Sequence, residues 1–128
     1  RGGTMNKIKI LLIEDEVDVT RIWERQFGLL LKAEKPSLLI ARSISEALKQ
    51  FELHKKDIKA IVVDGCLRPG GVLNTEMLTQ ALRRFFVGPM IASSTREDYR
   101  QLLLKSGCDH ECRKEDVPKI VVELLGLV

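Results

Sequence analysis

The sequence predicts an α/β protein in which five strands alternate with five helices. Short apolar runs rich in branched residues indicate buried strands, and segments with apolar residues at helical spacing separate them. Alternation with short connections is typical of a parallel sheet covered by helices on both faces. The 128 residues suit one domain. We assign residues 5–128 to this domain and interpret residues 1–4 as a remnant of recombinant expression.

The first half of the chain contains two strand–helix units. Residues 7–13 are predicted as the first strand, and residues 17–31 as an amphipathic helix. Ser37–Ala41 form the second strand. Ser43 and Glu46 then match a capping box that opens the second helix. The predicted apolar stripe of this helix comprises Ile44, Ala47, Leu48 and Phe51.

The middle of the chain contains the most apolar strand. Residues 60–63 are predicted to be buried on both faces, and they lead into Asp64 and a turn-rich loop at residues 65–71. Asn74 is predicted to cap the third helix. Residues 90–93 form the fourth strand. The predicted apolar stripe of the third helix comprises Leu78, Ala81, Leu82 and Phe85.

The last third of the chain continues the alternation. Thr95 with Asp98 is predicted to begin the fourth helix, and Gly107 to end it in a left-handed conformation. The fifth strand, at residues 109–113, has the weakest pattern. Asp116 is predicted to cap the last helix. The predicted stripe of that helix comprises Val117, Ile120, Val121, Leu124 and Leu125.

Acidic residues follow two of the strands. Glu14 and Asp15 end the first strand and Asp64 ends the third, and doubly wound sheets bind ligands at this carboxyl edge. Three close carboxylates favour either proton uptake or a bound cation, and hard oxygen ligands indicate Mg2+. Ser94 and Lys114 end the fourth and fifth strands. The cation and the ammonium group would neutralise the carboxylates, keep Asp64 ionised and favour phosphoryl transfer.

The cysteines and the charge exclude several other classes. Three cysteines without a Cys-x-x-Cys pair predict reduced thiols. Cys108, His110 and Cys112 could share one strand face, but a fourth metal ligand is missing nearby. The net charge of +3 is spread among acidic residues and predicts neither nucleic-acid nor membrane binding. Without an apolar run of about 20 residues or a secretory signal, we expect a soluble cytoplasmic protein.

Taken together, the strand-end residues resemble those of the receiver domains of response regulators, over residues 7–125. The resemblance rests on Glu14-Asp15, on Asp64 after Ile61-Val62-Val63, on Ser94 after the fourth strand, and on Lys114. It implies a flavodoxin-like (βα)5 fold: a doubly wound, five-stranded parallel sheet in the order 2-1-3-4-5, with helices on both faces.

The resemblance also implies a role for each site residue. Asp64 would be the nucleophile and the phosphorylation site. Lys114 would pair with Asp64 before the reaction and with a phosphoryl oxygen after it, and Ser94 would then donate its hydroxyl to the phosphoryl group. The implied magnesium ligands are Asp15, Asp64, the backbone carbonyl of Cys66 and, through a water molecule, Glu14.

The partners implied by the resemblance are proteins. A sensor histidine kinase or a histidine phosphotransfer protein would supply the phosphoryl group, and a downstream protein target would bind the last two helices and the fifth strand. The chain would be a monomer or a phosphorylation-dependent homodimer. Its chemistry would be limited to self-phosphorylation and slow autodephosphorylation, so we do not expect a turnover enzyme.

Some positions depart from the receiver pattern. Glu111 stands where these domains usually have an aromatic residue, and we expect it to stay exposed because a carboxylate is costly to bury without a partner. Glu115 replaces a usual proline, and Arg68-Pro69 suggests an insertion. These departures favour an alternative, a degenerate receiver that is a docking module. A haloacid-dehalogenase-type phosphatase would need a second aspartate where Cys66 stands.

Overall fold

The structure, a computed structural model, describes residues 8–31, 36–67 and 72–127. Its strands are β1 (Lys9–Ile13), β2 (Ser37–Ala41), β3 (Ile58–Val63), β4 (Met90–Ser93) and β5 (His110–Cys112). Its α-helices are α1 (Val17–Leu30), α2 (Ile44–His54), α3 (Glu76–Arg83), α4 (Glu97–Ser106) and α5 (Val117–Leu124), with a short 3-10 turn at Lys114–Asp116. The predicted remnant at residues 1–4 lies outside the described residues.

The five strands form one parallel sheet in the order β2-β1-β3-β4-β5. Side chains of β1 alternate between two cores: Leu11 and Ile13 pack beneath α2, α3 and α4, whereas Ile10 and Leu12 pack beneath α1 and α5. A strand that is buried on both faces explains the nearly continuous apolar run. The predicted doubly wound α/β fold and its strand order are therefore confirmed.

The strand bounds agree with the prediction to within two residues. β2 and β4 match, and β3 begins at Ile58, because that residue is also buried. β1 begins at Lys9, and β5 is limited to three residues. The predicted insertion at residues 68–71 lies outside the described residues.

The start of α2 differs in detail from a capping box. The Ser43 hydroxyl accepts a hydrogen bond from the Glu46 amide at 3.1 Å, as predicted. The Glu46 carboxylate, however, accepts from the Arg42 amide at 2.7 Å rather than from Ser43. Of the predicted stripe, Ala47 and Phe51 are buried, but Ile44 and Leu48 are exposed. The buried face of α2 is therefore narrower than its apolar pattern.

The predicted cap of α3 is wrong. Thr75, not Asn74, occupies the N-cap position. The Asn74 side chain instead accepts from the Leu67 amide at 2.9 Å and donates to the Leu67 carbonyl at 2.6 Å. An asparagine amide satisfies both backbone groups of a loop residue at once, which a cap could not do. Asn74 therefore ties the segment after β3 to the start of α3.

The predicted stripe of α3 is also wrong at two positions. Leu78 and Leu82 are buried, but Ala81 and Phe85 are exposed. The helix ends at Arg83, so helical spacing no longer places Phe85. Phe86 is buried in its place and packs edge-to-face on Phe51, with ring centroids 6.3 Å apart.

The start of α4 was also predicted incorrectly. Arg96 is its N-cap residue and gives no side-chain cap, and the Asp98 carboxylate pairs with the Arg96 guanidinium at 2.7 Å. Gly107 ends the helix with φ of 140°, as expected for glycine. A Cβ there would lie 2.9 Å from the Cβ of Arg83.

The last helix follows its predicted stripe except at Leu124, and the partly buried Ile120 and Leu125 also pack on the core. Asp116 occupies the N-cap position, but its side chain makes no cap hydrogen bond, because the 3-10 turn leads directly into α5. Val117 and Val121 are buried as predicted. Val122 is buried as well, whereas Leu124 is exposed.

Candidate functional site

The three predicted carboxylates meet at the carboxyl edge of the sheet. β1 and β3 are neighbours, and their register continues past the strands, since the Asp64 amide donates to the Ile13 carbonyl at 3.0 Å. This places the residues after the two strands side by side. Glu14, Asp15 and Asp64 each offer an oxygen within 4.8 Å of the others, and no other such acidic, cysteine or histidine cluster occurs among the described residues.

Lys114 lies between two of these carboxylates. Its Nζ is 2.7 Å from Glu14 Oε1 and 3.4 Å from Asp64 Oδ1. The predicted pairing with Asp64 is thus present, although the contact with Glu14 is closer. The other oxygen of Glu14 accepts from the Glu16 amide at 3.0 Å. Glu14 is fully buried, so these partners compensate the loss of water around its charge.

Trp23 holds the backbone of Lys114 in place, and it was not assigned a site role from the sequence. Its indole Nε1 donates to the backbone carbonyl of Lys114 at 2.8 Å, and the ring is buried against β1 in the core beneath α1. A buried tryptophan needs a partner for its N–H. The sequence could therefore indicate that Trp23 has a hydrogen-bond acceptor, but it does not show that this acceptor is the Lys114 carbonyl.

Two further residues support the acidic edge. Arg42 Nη1 lies 3.4 Å from the Glu14 carbonyl, and Nη2 donates to the hydroxyl of buried Thr20 at 3.1 Å. The hydroxyl of buried Thr75 donates to the Asp64 carbonyl at 2.7 Å. These contacts hold the backbone at both strand ends. Their partners are distant in sequence, and no local pattern signals them.

Burial shifts the protonation of the site. Burial and the charge of Glu14 raise the pKa of Asp64 to about 7, although Lys114 and the Cys66 amide act against the shift. Burial also raises the pKa of Glu14 against its hydrogen bond with Lys114. Burial by itself would lower the pKa of Lys114. The hydrogen bond with Glu14 and the charge of Asp64 outweigh burial, so the pKa of Lys114 is raised. Glu14 and Asp64 together therefore carry more negative charge than Lys114 compensates.

The donor set fits a hard divalent cation. Carboxylate oxygens within 4.8 Å of one another suit magnesium or calcium better than a softer metal. Asp15 is half-buried, and Cys66 follows Asp64 by two residues at the same edge. Both oxygens of Glu14 have protein partners. That Glu14 acts on the cation through water stays a prediction.

Ser94 directly follows β4 and is buried. Its hydroxyl oxygen accepts from the Arg96 amide at 3.2 Å, and its carbonyl accepts from Arg100 Nη1 at 2.7 Å. Both contacts come from the beginning of α4. The structure therefore places Ser94 at the same sheet edge as the acidic cluster and ties it to that helix.

Glu111 differs from its predicted exposure. Its side chain is 32% exposed and pairs with Arg100 Nε at 2.8 Å. Gln101 Nε2 donates to its second oxygen at 2.7 Å. The carboxylate can be half-buried because both of its oxygens have partners, which the sequence did not reveal.

The cysteines near β5 do not form a metal site among the described residues. Burial raises the pKa of Cys108 to about 12 and that of Cys112 to about 11. Both thiols are therefore protonated at neutral pH, when a thiol ligand would have to be ionised. Of the two, only Cys112 lies in β5, and Cys108 is buried before that strand begins.

No helix in the described parts of the chain combines the length and the apolar character required to cross a membrane.

Comparison with known proteins establishes the fold. No protein-family model matches the sequence, and no curated protein sequence matches it. The chain is similar to the receiver domain of Francisella response regulator 1452, with a TM-score of 0.69, 21% identity, and coverage of 94% of this chain and 96% of that one. It is also similar to a two-component response regulator from Legionella pneumophila, with a TM-score of 0.71, 18% identity, and coverage of 94% and 97%.

A third similar structure contains relevant ligands. It is the CheX–CheY complex with BeF3 and Mg2+ from Borrelia burgdorferi, with a TM-score of 0.70, 14% identity, and coverage of 92% of this chain and 89% of that one. At such identities the similarity concerns the fold alone. The chain thus has the fold of response-regulator receiver domains.

Proposed function

We propose that this protein is a receiver that accepts a phosphoryl group on Asp64 in a two-component or phosphorelay system. The observation that carries the proposal is the position of the Lys114 ammonium, 2.7 Å from Glu14 and 3.4 Å from Asp64, beside the acidic cluster. Phosphoryl transfer needs positive charge around an anionic acceptor and an anionic group. The receiver fold supports the same function.

In the proposed reaction Asp64 is the nucleophile. One of its carboxylate oxygens forms a bond to phosphorus while the bond from phosphorus to a histidine nitrogen of the donor breaks, and that nitrogen keeps the electron pair. Burial supports this role because it removes water from the carboxylate. The donor is a sensor histidine kinase or a histidine phosphotransfer protein.

Magnesium would be held by Asp15, Asp64 and the backbone carbonyl of Cys66, with Glu14 acting through a water molecule. When bound, it supplies positive charge that favours the ionised form of Asp64 and the oxygens of the transferred group. Lys114 supplies the second positive charge and exchanges its contact with Asp64 for one with a phosphoryl oxygen. Ser94 donates its hydroxyl to another phosphoryl oxygen.

The proposed output is a change in partner binding. Ser94 is tied to α4 by two hydrogen bonds, so its movement toward the phosphoryl group would reach α4 and β5. A downstream protein would read this surface together with α5. We propose no turnover activity beyond self-phosphorylation and slow autodephosphorylation. The cytoplasmic location, the single-domain assignment and a phosphorylation-dependent homodimer stay predictions.

A docking module without phosphorylation is the second candidate. It is favoured by Glu111, which stands at the usual aromatic position and is held by Arg100 and Gln101. A fixed carboxylate cannot rotate inward as an aromatic ring does. The buried pair of Glu14 and Asp64 with its one lysine favours the phosphorylated receiver, because a docking surface has no need for two buried carboxylates at one ammonium group.

The deciding experiment incubates the full chain with magnesium and phosphoramidate and measures the intact mass. We expect one phosphoryl adduct in the wild type and none in Asp64→Asn. Asp18→Asn is the matched control, because Asp18 is an exposed carboxylate on α1, and it should form the adduct. No adduct in the wild type would leave the docking module as the better proposal, and an adduct in Asp64→Asn would move the acceptor elsewhere.

A further inference from the structure

Three contacts connect Ser94 to β5 by way of α4. Arg100 donates from Nη1 to the Ser94 carbonyl at 2.7 Å and from Nε to Glu111 Oε1 at 2.8 Å. Gln101 Nε2 donates to Glu111 Oε2 at 2.7 Å. These contacts, which we call the Arg100–Glu111 link, form a continuous polar path from the end of β4 to β5.

The arginine of the link is shielded from water, whereas Glu111 is half-buried and Gln101 is exposed. The Arg100 side chain is only 12% exposed. In the pairing of β4 with β5, Glu111 lies opposite Ala92, and the next residue, Cys112, packs into the core beneath α1 and α5. Because side chains alternate along a strand, Glu111 projects toward the opposite face, where α4 lies. The ion pair is therefore built into the packing of α4 on β5.

The chemistry of arginine makes this link stiff. A guanidinium is planar and holds its donors in a fixed relation, whereas an ammonium is a single point of charge. A displacement of the Ser94 carbonyl therefore moves Nη1 and Nε together and changes the contact with Glu111. If the backbone of Ser94 moves with its hydroxyl toward Asp64, the carbonyl is displaced as well.

We infer that Arg100 and Glu111 are positioning residues that couple Ser94 to the α4–β5 surface, in place of an aromatic side chain. This inference rests on the proposed function, since a phosphoryl group on Asp64 is what moves Ser94. The link transmits the movement of Ser94 through an ion pair, whereas a rotating aromatic ring would transmit it through packing. Glu111 stays in place, and its contacts with Arg100 and Gln101 change.

The experiment follows backbone amide and Gln101 side-chain resonances of the 15N-labelled full chain before and after addition of beryllium fluoride with magnesium. In the wild type we expect shifts at Ser94, at Glu111 and at the Gln101 side chain. In Arg100→Lys, which keeps the charge but loses the fork, the Ser94 shift should persist. The shifts at Glu111 and Gln101 should fall to about a third or less.

Asp98→Asn is the matched control, because it breaks an exposed ion pair with Arg96 at the start of the same helix but contacts neither end of the link. It should respond as the wild type does. Undiminished shifts at Glu111 and Gln101 in Arg100→Lys would overturn the inference. Such a result would leave the proposed function untouched, because formation of the phosphoryl adduct on Asp64 is measured separately.

A measurement without a phosphoryl mimic separates this inference from the proposed function. In the free protein, Glu111→Gln should displace the Ser94 amide resonance, and Asp98→Asn should leave that resonance closer to its wild-type position. If Glu111→Gln leaves the Ser94 resonance in place, the link is refuted whether or not Asp64 accepts phosphate. If the wild type takes neither phosphate nor beryllium fluoride, the proposed function fails, and a displaced Ser94 resonance still supports the link.

Discussion

The acidic edge and the α4–β5 side of the protein differ in how their carboxylates are paired. At the acidic edge, Glu14 and Asp64 share the ammonium group of Lys114, and Asp64 has a raised pKa. On the α4–β5 side, Glu111 has one guanidinium and one amide for its two oxygens. From this difference we expect cation binding and reaction at the acidic edge, and a fixed geometry on the α4–β5 side.

The largest expected effect comes from removal of the lysine at the acidic edge. Lys114→Ala should slow adduct formation with phosphoramidate by about 100-fold, because it removes a positive group aimed at the reacting oxygens. The measurement is the rate of the mass adduct at saturating magnesium. Lys119→Ala, an exposed lysine on α5, should leave the rate unchanged. A Lys114→Ala rate close to that of the wild type would remove the lysine from the proposed chemistry.

A smaller effect should appear in the pH dependence of stability. The pKa of Asp64 is raised from 3.8 to about 7 in the fold, so the folded protein binds this proton more tightly than the unfolded chain. The resulting stabilisation is complete below pH 3.8 and is lost as the pH rises through 7. Asp64→Asn cannot ionise, so without magnesium it should be more stable than the wild type at pH 8, by about 1 to 2 kcal/mol.

Urea denaturation of both proteins with a chelator present, at about pH 4 and pH 8, measures this difference. The advantage of Asp64→Asn should shrink toward pH 4, because the wild-type carboxyl is then largely protonated. Glu111→Gln is the comparison from the α4–β5 side, and we expect it to be no more stable than the wild type at pH 8. An advantage of Asp64→Asn that is equal at both pH values would mean that charge burial is not its cause.

The smallest effect concerns the support of the lysine. Trp23→Phe keeps most of the buried ring but removes the indole donor to the Lys114 carbonyl. It should cost about 1 kcal/mol of stability for the lost hydrogen bond. It should also slow adduct formation less than Lys114→Ala does. A rate loss as large as that of Lys114→Ala would instead make Trp23 essential for the position of the ammonium group.

The fold was largely predictable because its signals are local. Strands buried on both faces leave continuous apolar runs, and α1 shows its pattern over 14 residues. Errors occurred at helix ends, where one side chain has several possible partners. Asn74 bonded Leu67 instead of capping α3, and Phe85 lost its place in the stripe because the helix ended at Arg83.

The sequence by itself determined the alternation of strands and helices and the acidic residues at the strand ends, because both follow from the order of residues along the chain. Only the tertiary structure decided that Lys114 lies closer to Glu14 than to Asp64, that Trp23 holds its carbonyl, and that Arg100 joins Ser94 to Glu111. The contacts of Lys114 with Glu14 and Trp23 join residues about 100 positions apart. Those between Ser94, Arg100 and Glu111 depend on how α4 packs on the sheet, which no local pattern encodes.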